Sequence, residues 1–260
     1  MRLSGLDGWV IVVTGAGGGI GAAVCRTLAS CGARIAAVDR DKEALRRLLD
    51  KDGTDDGPQL MGCPADVTLA SAAEQVLDRV HAELGPVNAL VNAAGVLRTG
   101  PAVCCPEDDW SELLAVNATG VFLWSRAAAR RMAERRAGAI VTVASNSVGV
   151  PRTGMAAYAA SKAAASAFTL ALGLELAELG IRCNVVCPGS TDTPMLSAMG
   201  PDAAAAAIRG NPASHRTGIP LRRVADPQDI ADAVAFLLSD QARHITLHSL
   251  YVDGGAALHG

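Results

Sequence analysis

Apolar strands alternate with helices along almost the whole chain, and that alternation leaves few folds open. Short β-branched and aliphatic runs occupy residues 10–13, 34–38, 59–63, 87–91, 139–143, 181–186 and 250–252. Helical stretches fall between them at 22–29, 41–49, 70–84, 110–136 and 227–238, and another carries the word "YAASK" after the fifth strand. Strands so uniformly apolar are buried on both faces. The pattern therefore predicts a parallel, seven-stranded sheet covered by helices on each side. With 260 residues, 50% of them hydrophobic, the chain can bury one large core, and a single α/β domain over residues 1–260 is expected.

In a doubly wound sheet of this kind, ligands bind at the carboxyl ends of the strands, near the switch in strand order. The polar and glycine-rich words all follow strands: "TGAGGGIG", Asp39, Asp66, "NAAG", Ser145 and "PGSTDTP". They are predicted to gather along one edge. Residues 196–219 break the rhythm, with five consecutive alanines at 203–207 followed by "GNPASHRTG". The segment reads as a helical insertion with mobile flanks, either a lid over the edge or an ordinary surface excursion.

The first strand ends in Gly15, Gly18, Gly19, Ile20 and Gly21. Glycine there permits a left-handed turn and close approach of a pyrophosphate to a helix N-terminus, which is a Rossmann dinucleotide site. Asp39 closes the second strand, 20 residues beyond Gly19, where a carboxylate accepts ribose hydroxyls and repels a 2′-phosphate. Arg40 beside it can hold such a phosphate. The absence of a cation at Gly18 tips the expectation to NAD over NADP.

Composition removes other classes. The net charge is −3 and the pI about 5.9, with no basic block, so nucleic acid is not expected as a partner. The arginine pairs at 46–47, 130–131 and 135–136 fall on helices and read as solvated faces. No apolar run reaches the ~20 residues of a membrane span, and "MRLSGLDGW" has no signal-peptide core. Seven cysteines, an odd number without metal spacing, suggest reduced thiols in a cytoplasmic protein. His244 and His248 lack a third ligand, so no metal is assigned.

Tyr158 and Lys162 are four residues apart, on one helix face. The chain has two tyrosines and three lysines, so chance predicts only about 0.02 such pairs. Together with the glycine turn, Asp66 in "ADV", "NAAG", Asn117 in "AVNATG", Ser145 and Pro188-Gly189 leading to Thr193, the pair resembles the short-chain dehydrogenase/reductase family over nearly the whole length. Ser145 precedes Tyr158 by 13 residues, the family's usual spacing. Ala93 departs from the second asparagine many members carry.

The resemblance implies roles. Tyr158 exchanges a proton with the substrate oxygen. Lys162 holds the nicotinamide ribose and lowers the tyrosine pKa. Ser145 binds the substrate oxygen, and Asn117 supports a water that connects Lys162 to solvent. Asp66 and Val67 flank the adenine. Asn92, Ala93 and Gly95 line the cofactor, and Pro188, Gly189, Thr191 and Thr193 embrace its nicotinamide end. A homotetramer is also expected.

Within the family, "VLRTG", "PRTGM" and "HITL" are most similar to dehydrogenases of siderophore-type secondary metabolism that aromatise a cyclohexadiene carboxylic acid. Such a substrate needs a cation. Arg98 and Arg152 are candidates for gripping the carboxylate, or are simply exposed. Met155, Met195 and Leu196 are candidate apolar walls. Residues 51–59 form a longer loop than this enzyme type suggests. Alternatives are the amino-hydroxy analogue of the substrate, another NAD(P)-dependent alcohol or 3-oxoacyl reductase, and a nucleotide-sensing binding protein.

Overall fold

The structure, a computed structural model, describes residues 3–50, 60–214 and 216–258. Residues 51–59, whose length the sequence singled out, lie outside the described residues. The strands are β1 (Val10–Thr14), β2 (Arg34–Asp39), β3 (Leu60–Pro64), β4 (Val87–Asn92), β5 (Gly138–Val143), β6 (Ile181–Pro188) and β7 (Ser249–Val252). They form one parallel sheet in the order β3-β2-β1-β4-β5-β6-β7. The chain winds outward from β1 to β3, then restarts at β4 on the other side of β1. The switch point therefore lies between β1 and β4.

β1 is buried throughout, and its side chains alternate between two cores, as the period of a strand requires. Ile11 and Val13 join Val24 and Leu28 of α1 (Gly19–Ser30) and Ile230 and Val234 of α9 (Pro227–Leu238). Val10 and Val12 point the other way. They meet Leu77 of α3 (Ala70–Glu83) and Trp124 and Met132 of α5 (Gly120–Arg135). Each such side chain removed from water contributes about 1.5–3 kcal/mol. α9 starts cleanly because Asp226 and Asp229 form a capping box around Pro227.

The helix expected over 110–136 is built in two parts. α4 (Glu107–Leu114) and α5 are joined by one wider turn, Ala115–Thr119. The extra residue in that turn breaks the regular i→i+4 ladder where the helix passes the sheet edge, and it turns Asn117 inward. Arg131 of this helix is also not a purely solvated charge. It pairs with Glu74 at 2.8 Å and Asp78 at 2.5 Å, fastening α5 to α3.

α2 (Lys42–Asp50) follows β2, and α6 (Ala156–Leu176) carries YAASK. The excursion after β6 contains α7 (Pro194–Ser197) and α8 (Ala203–Arg209). No helix among the described residues is long and apolar enough to cross a membrane.

Candidate active site

The glycine turn forms a cradle that side chains would fill. Gly15 adopts φ 70°, and a Cβ on it would lie 2.6 Å from the backbone of Ala94. A Cβ on Gly21 would land on the Gly15 carbonyl oxygen. Only glycine suits either position. Gly18 is the N-cap of α1, and no side chain caps that terminus, which leaves its first N–H groups free for an anionic ligand at the cleft.

A cavity of about 260 Å³ runs along this edge, lined by Gly15, Gly18, Gly19, Ile20, Asp39, Arg40, Asp66, Val67, Ala93, Gly95 and Thr193. Asp39 braces the loop, accepting from Gly17 N and Asp41 N at 2.9 Å each. Asp66 accepts from the Thr68 N–H and hydroxyl at 2.9 and 2.8 Å. Those bonds hold its carboxyl below the usual range, with Arg40 adding to the effect. The shape and donors fit a dinucleotide.

Asn92 departs from the expectation that it lines the cofactor. It is 2% exposed, and its amide donates to Ser125 at 2.9 Å and Thr142 at 3.3 Å in the helix-covered face below the cleft. The backbone of the next two residues is held instead by Thr14, whose hydroxyl accepts from Ala93 N and Ala94 N.

A second cavity of about 130 Å³ continues the edge past Gly95. It is lined by Ser145, Tyr158, Lys162, Pro188, Gly189, Thr191, Thr193, Met155, Met195, Leu196 and Arg152. The Ser145 hydroxyl accepts from Ser147 N at 3.1 Å and from the Ser147 hydroxyl at 2.9 Å, which fixes its direction. Ser147 was not visible as a site residue in the sequence. Burial pushes the Tyr158 phenol up to about 12, opposed by its hydrogen bond to Ser145 and by the charge on Arg152. Lys162 is pushed down to about 8, also by burial. Its ammonium is directed to the Val143 carbonyl. Arg152 is a cation that lowers the Tyr158 phenol pKa, while Lys162 is turned to the Val143 carbonyl beside Gly95.

Asn117 pins Val96 from both sides. Its oxygen accepts from Val96 N and its nitrogen donates to Val96 O, both at 2.9 Å, with a further bond to Ser161 at 3.0 Å. A Cβ on Gly95 would meet Lys162 Nζ at 3.1 Å and Asn117 Oδ1 at 3.3 Å, so the two groups flank that glycine.

Arg98 is drawn away from the cavity. It pairs with Asp109 at 3.4 Å and Glu112 at 2.6 Å on α4 and is absent from the residues lining the second cavity. Arg216, Met199 and Ser190 line the cavity instead. Sequence reasoning passed over Arg216 because it sits in irregular chain with no periodicity to read. Among the described residues, no group of three His, Cys, Asp or Glu side chains could hold a metal ion.

A buried phenol and ammonium at the open end of a dinucleotide cleft equip a protein to move a proton beside a hydride carrier, which defines a nicotinamide-dependent oxidoreductase. The short chain dehydrogenase profile matches residues 9–204, and the chain belongs to that family. It is 50% identical to a 2,3-dihydro-2,3-dihydroxybenzoate dehydrogenase of Bacillus subtilis (strain 168) over 99% of each chain. The enzyme of the same name from Escherichia coli (strain K12) is 42% identical over 99% of each. Among solved structures, a 3-ketoacyl-(acyl-carrier-protein) reductase from Brucella melitensis complexed with NADH superposes with a TM-score of 0.86. It is 31% identical and covers 97% of this chain and 100% of its own.

Proposed function

We propose that the protein oxidises 2,3-dihydro-2,3-dihydroxybenzoate to 2,3-dihydroxybenzoate, with NAD preferred to NADP. The observation that carries this reading is Arg152. It is half-buried, its charge acts on Tyr158, and it lines the same cavity as the apolar side chains of Met155, Met195 and Leu196. A cation beside apolar walls in a small cavity suits a carboxylated cyclohexadiene better than a neutral alcohol or a long acyl chain. The whole-length likeness to relatives of that name supports it.

In this reading, bound NAD supplies the hydride acceptor. Gly15, Gly18 and Gly19 take the pyrophosphate, Asp39 the adenosine ribose, Asp66 and Val67 the adenine side, and Pro188, Gly189, Thr191 and Thr193 the nicotinamide side. Ser145 and Tyr158 bind the C3 hydroxyl, and Tyr158 as phenolate takes its proton while the C3 hydrogen leaves with its electron pair. The resulting ketone tautomerises to the aromatic ring. Ser147 keeps Ser145 aimed, and Asn117 holds the Val96 backbone along the cleft. The homotetramer and the cytoplasmic setting belong to the same proposal.

The test is NAD reduction followed with 2,3-dihydro-2,3-dihydroxybenzoate and 2,3-dihydro-3-hydroxyanthranilate side by side. Turnover with the dihydroxy acid at a higher kcat/KM is expected. Preference for the amino-hydroxy acid would move the assignment to that substrate, and turnover with neither would sink it.

A further inference from the structure

Two arginines line the substrate cavity, and neither forms an ion pair with a carboxylate among the described residues. Arg152 comes from the connection between β5 and α6. Arg216 comes from the excursion between α8 and α9. Both also line an adjoining chamber of about 380 Å³, together with Met155, Ser190 and Met199, so they stand where the two spaces meet. Each is held below the ordinary arginine range by burial, and Arg152 further by the charge on Arg216. Among the described residues, Asp253 is the carboxylate that acts on Arg152. Its oxygens are already taken by Asn146 Nδ2 at 2.9 Å, Gly255 N at 2.9 Å and Ala257 N at 2.8 Å.

The chain around Arg216 is built to present it. Asn211 and Arg216 exchange backbone hydrogen bonds at 2.8 and 2.9 Å, and Ile219 N bonds to Ile208 O at 3.1 Å. Gly210 and Gly218 close the base of this loop at φ 73° and 82°, so near each other that a Cβ on Gly210 would overlap Gly218 N. The guanidinium itself donates to Ser190 Oγ at 3.4 Å, on the wall after β6. Two like charges at one half-dry junction, with the nearby Asp253 carboxylate already engaged by three donors, favour an anionic ligand there.

We propose that Arg216 is the second arm of a two-arginine grip. With Arg152 it holds the substrate's carboxylate, and in doing so it fastens the 196–219 segment over the bound ring. The inference rests on the reading of a carboxylated substrate given above. It assigns to Arg216 a specificity role distinct from proton transfer, because its guanidinium is held at Ser190 on the wall after β6, whereas Ser147 holds Ser145 at the proton-transfer end.

Steady-state kinetics and ligand binding test it. Arg216→Gln is expected to raise KM for the dihydrodiol acid roughly 10- to 100-fold with kcat changed little, the loss expected for one charge-assisted contact. Binding of 2,3-dihydroxybenzoate should weaken by a similar factor, while catechol, which lacks the carboxylate, binds Arg216→Gln and wild type alike. Arg216→Lys should fall between. Arg209→Gln, in α8 of the same segment, serves as the control with wild-type values. In wild type, 2,3-dihydroxybenzoate but not catechol should protect 196–219 from proteolysis.

An unchanged KM in Arg216→Gln, with wild-type discrimination between acid and catechol, overturns the grip while leaving the proposed reaction standing. The converse is also separable. If wild type reduces no NAD with the acid, yet Arg216 still decides between 2,3-dihydroxybenzoate and catechol, the grip stands and the reaction falls.

Discussion

Lys162 donates its ammonium proton to the Val143 carbonyl at 2.9 Å, against the strand end that leads into Ser145. The side chain is 5% exposed, and burial brings its pKa from 10.5 to about 8. A base whose folded pKa is depressed lowers stability while it is charged. Between about pH 8 and 10.5 the unfolded chain binds more protons than the folded one, so stability attributable to this group rises with pH through that window. Below it the full penalty applies. Lys162→Met is therefore expected to lose turnover and yet gain about 1–3 kcal/mol of stability at pH 7, after allowing for the lost bond to Val143. The gain should shrink as pH approaches 10.5. Thermal unfolding of the cofactor-free protein near neutral pH and near the top of that window measures both, and a less stable Met variant at neutral pH would contradict the assigned burial cost.

Tyr158 presents the opposite sign. Its phenol is pushed up to about 12 by burial, and the Ser145 hydrogen bond and the Arg152 charge both pull it down. Removing either influence raises the pKa further. In alcohol oxidation the phenolate is the proton acceptor, so the rate rises with pH through that pKa. Arg152→Gln and Ser145→Ala should each move the rising limb of the pH–kcat profile to higher pH. A limb displaced upward by one pH unit lowers kcat about tenfold at any fixed pH beneath it. Tyr158→Phe should abolish the limb together with turnover while NAD still binds. A limb that stays in place in Arg152→Gln would show that this guanidinium does not reach the phenol's charge.

Much of this was legible in the residues because burial leaves a simple trace. The strands declared themselves as uninterrupted apolar runs, since a sheet covered on both faces tolerates nothing else. Apolar patterning places the start of α1 three residues late. Gly19 and Gly21 are poor helix formers, and they stand there because the cradle requires them, so local propensity and site geometry disagree at that point. The wider turn at Ala115–Thr119 leaves the helical hydrophobic pattern nearly intact and could not be seen. The sequence left Arg98 open between a carboxylate grip and an exposed charge because its partners, Asp109 and Glu112, belong to the following helix, and spacing says nothing about which charges meet across a turn. Arg216 was missed for the reverse reason: a loop closed by Gly210, Gly218 and backbone bonds delivers it to a cavity formed by distant strand ends.

Asp39 joins two tasks that substitution can separate. It lines the cavity beside the glycine turn, and its carboxylate also ties down Gly17 and Asp41 through their N–H groups at 2.9 Å each. The charge is what should repel a 2′-phosphate, whereas the hydrogen bonds should hold the loop for either cofactor. Asp39→Asn removes the charge and keeps an acceptor for one N–H, with Arg40 left beside it as a cation. The ratio of kcat/KM for NAD to that for NADP is expected to fall at least about tenfold, mainly through improved use of NADP. Asp39→Ala removes both functions, so NAD binding should weaken as well and the melting temperature should drop relative to Asp39→Asn. Steady-state kinetics with both cofactors, run beside thermal unfolding, distinguishes the two effects. If Asp39→Asn retains the wild-type ratio while Asp39→Ala loses stability, the residue is a loop brace alone and cofactor choice must lie elsewhere along the cleft.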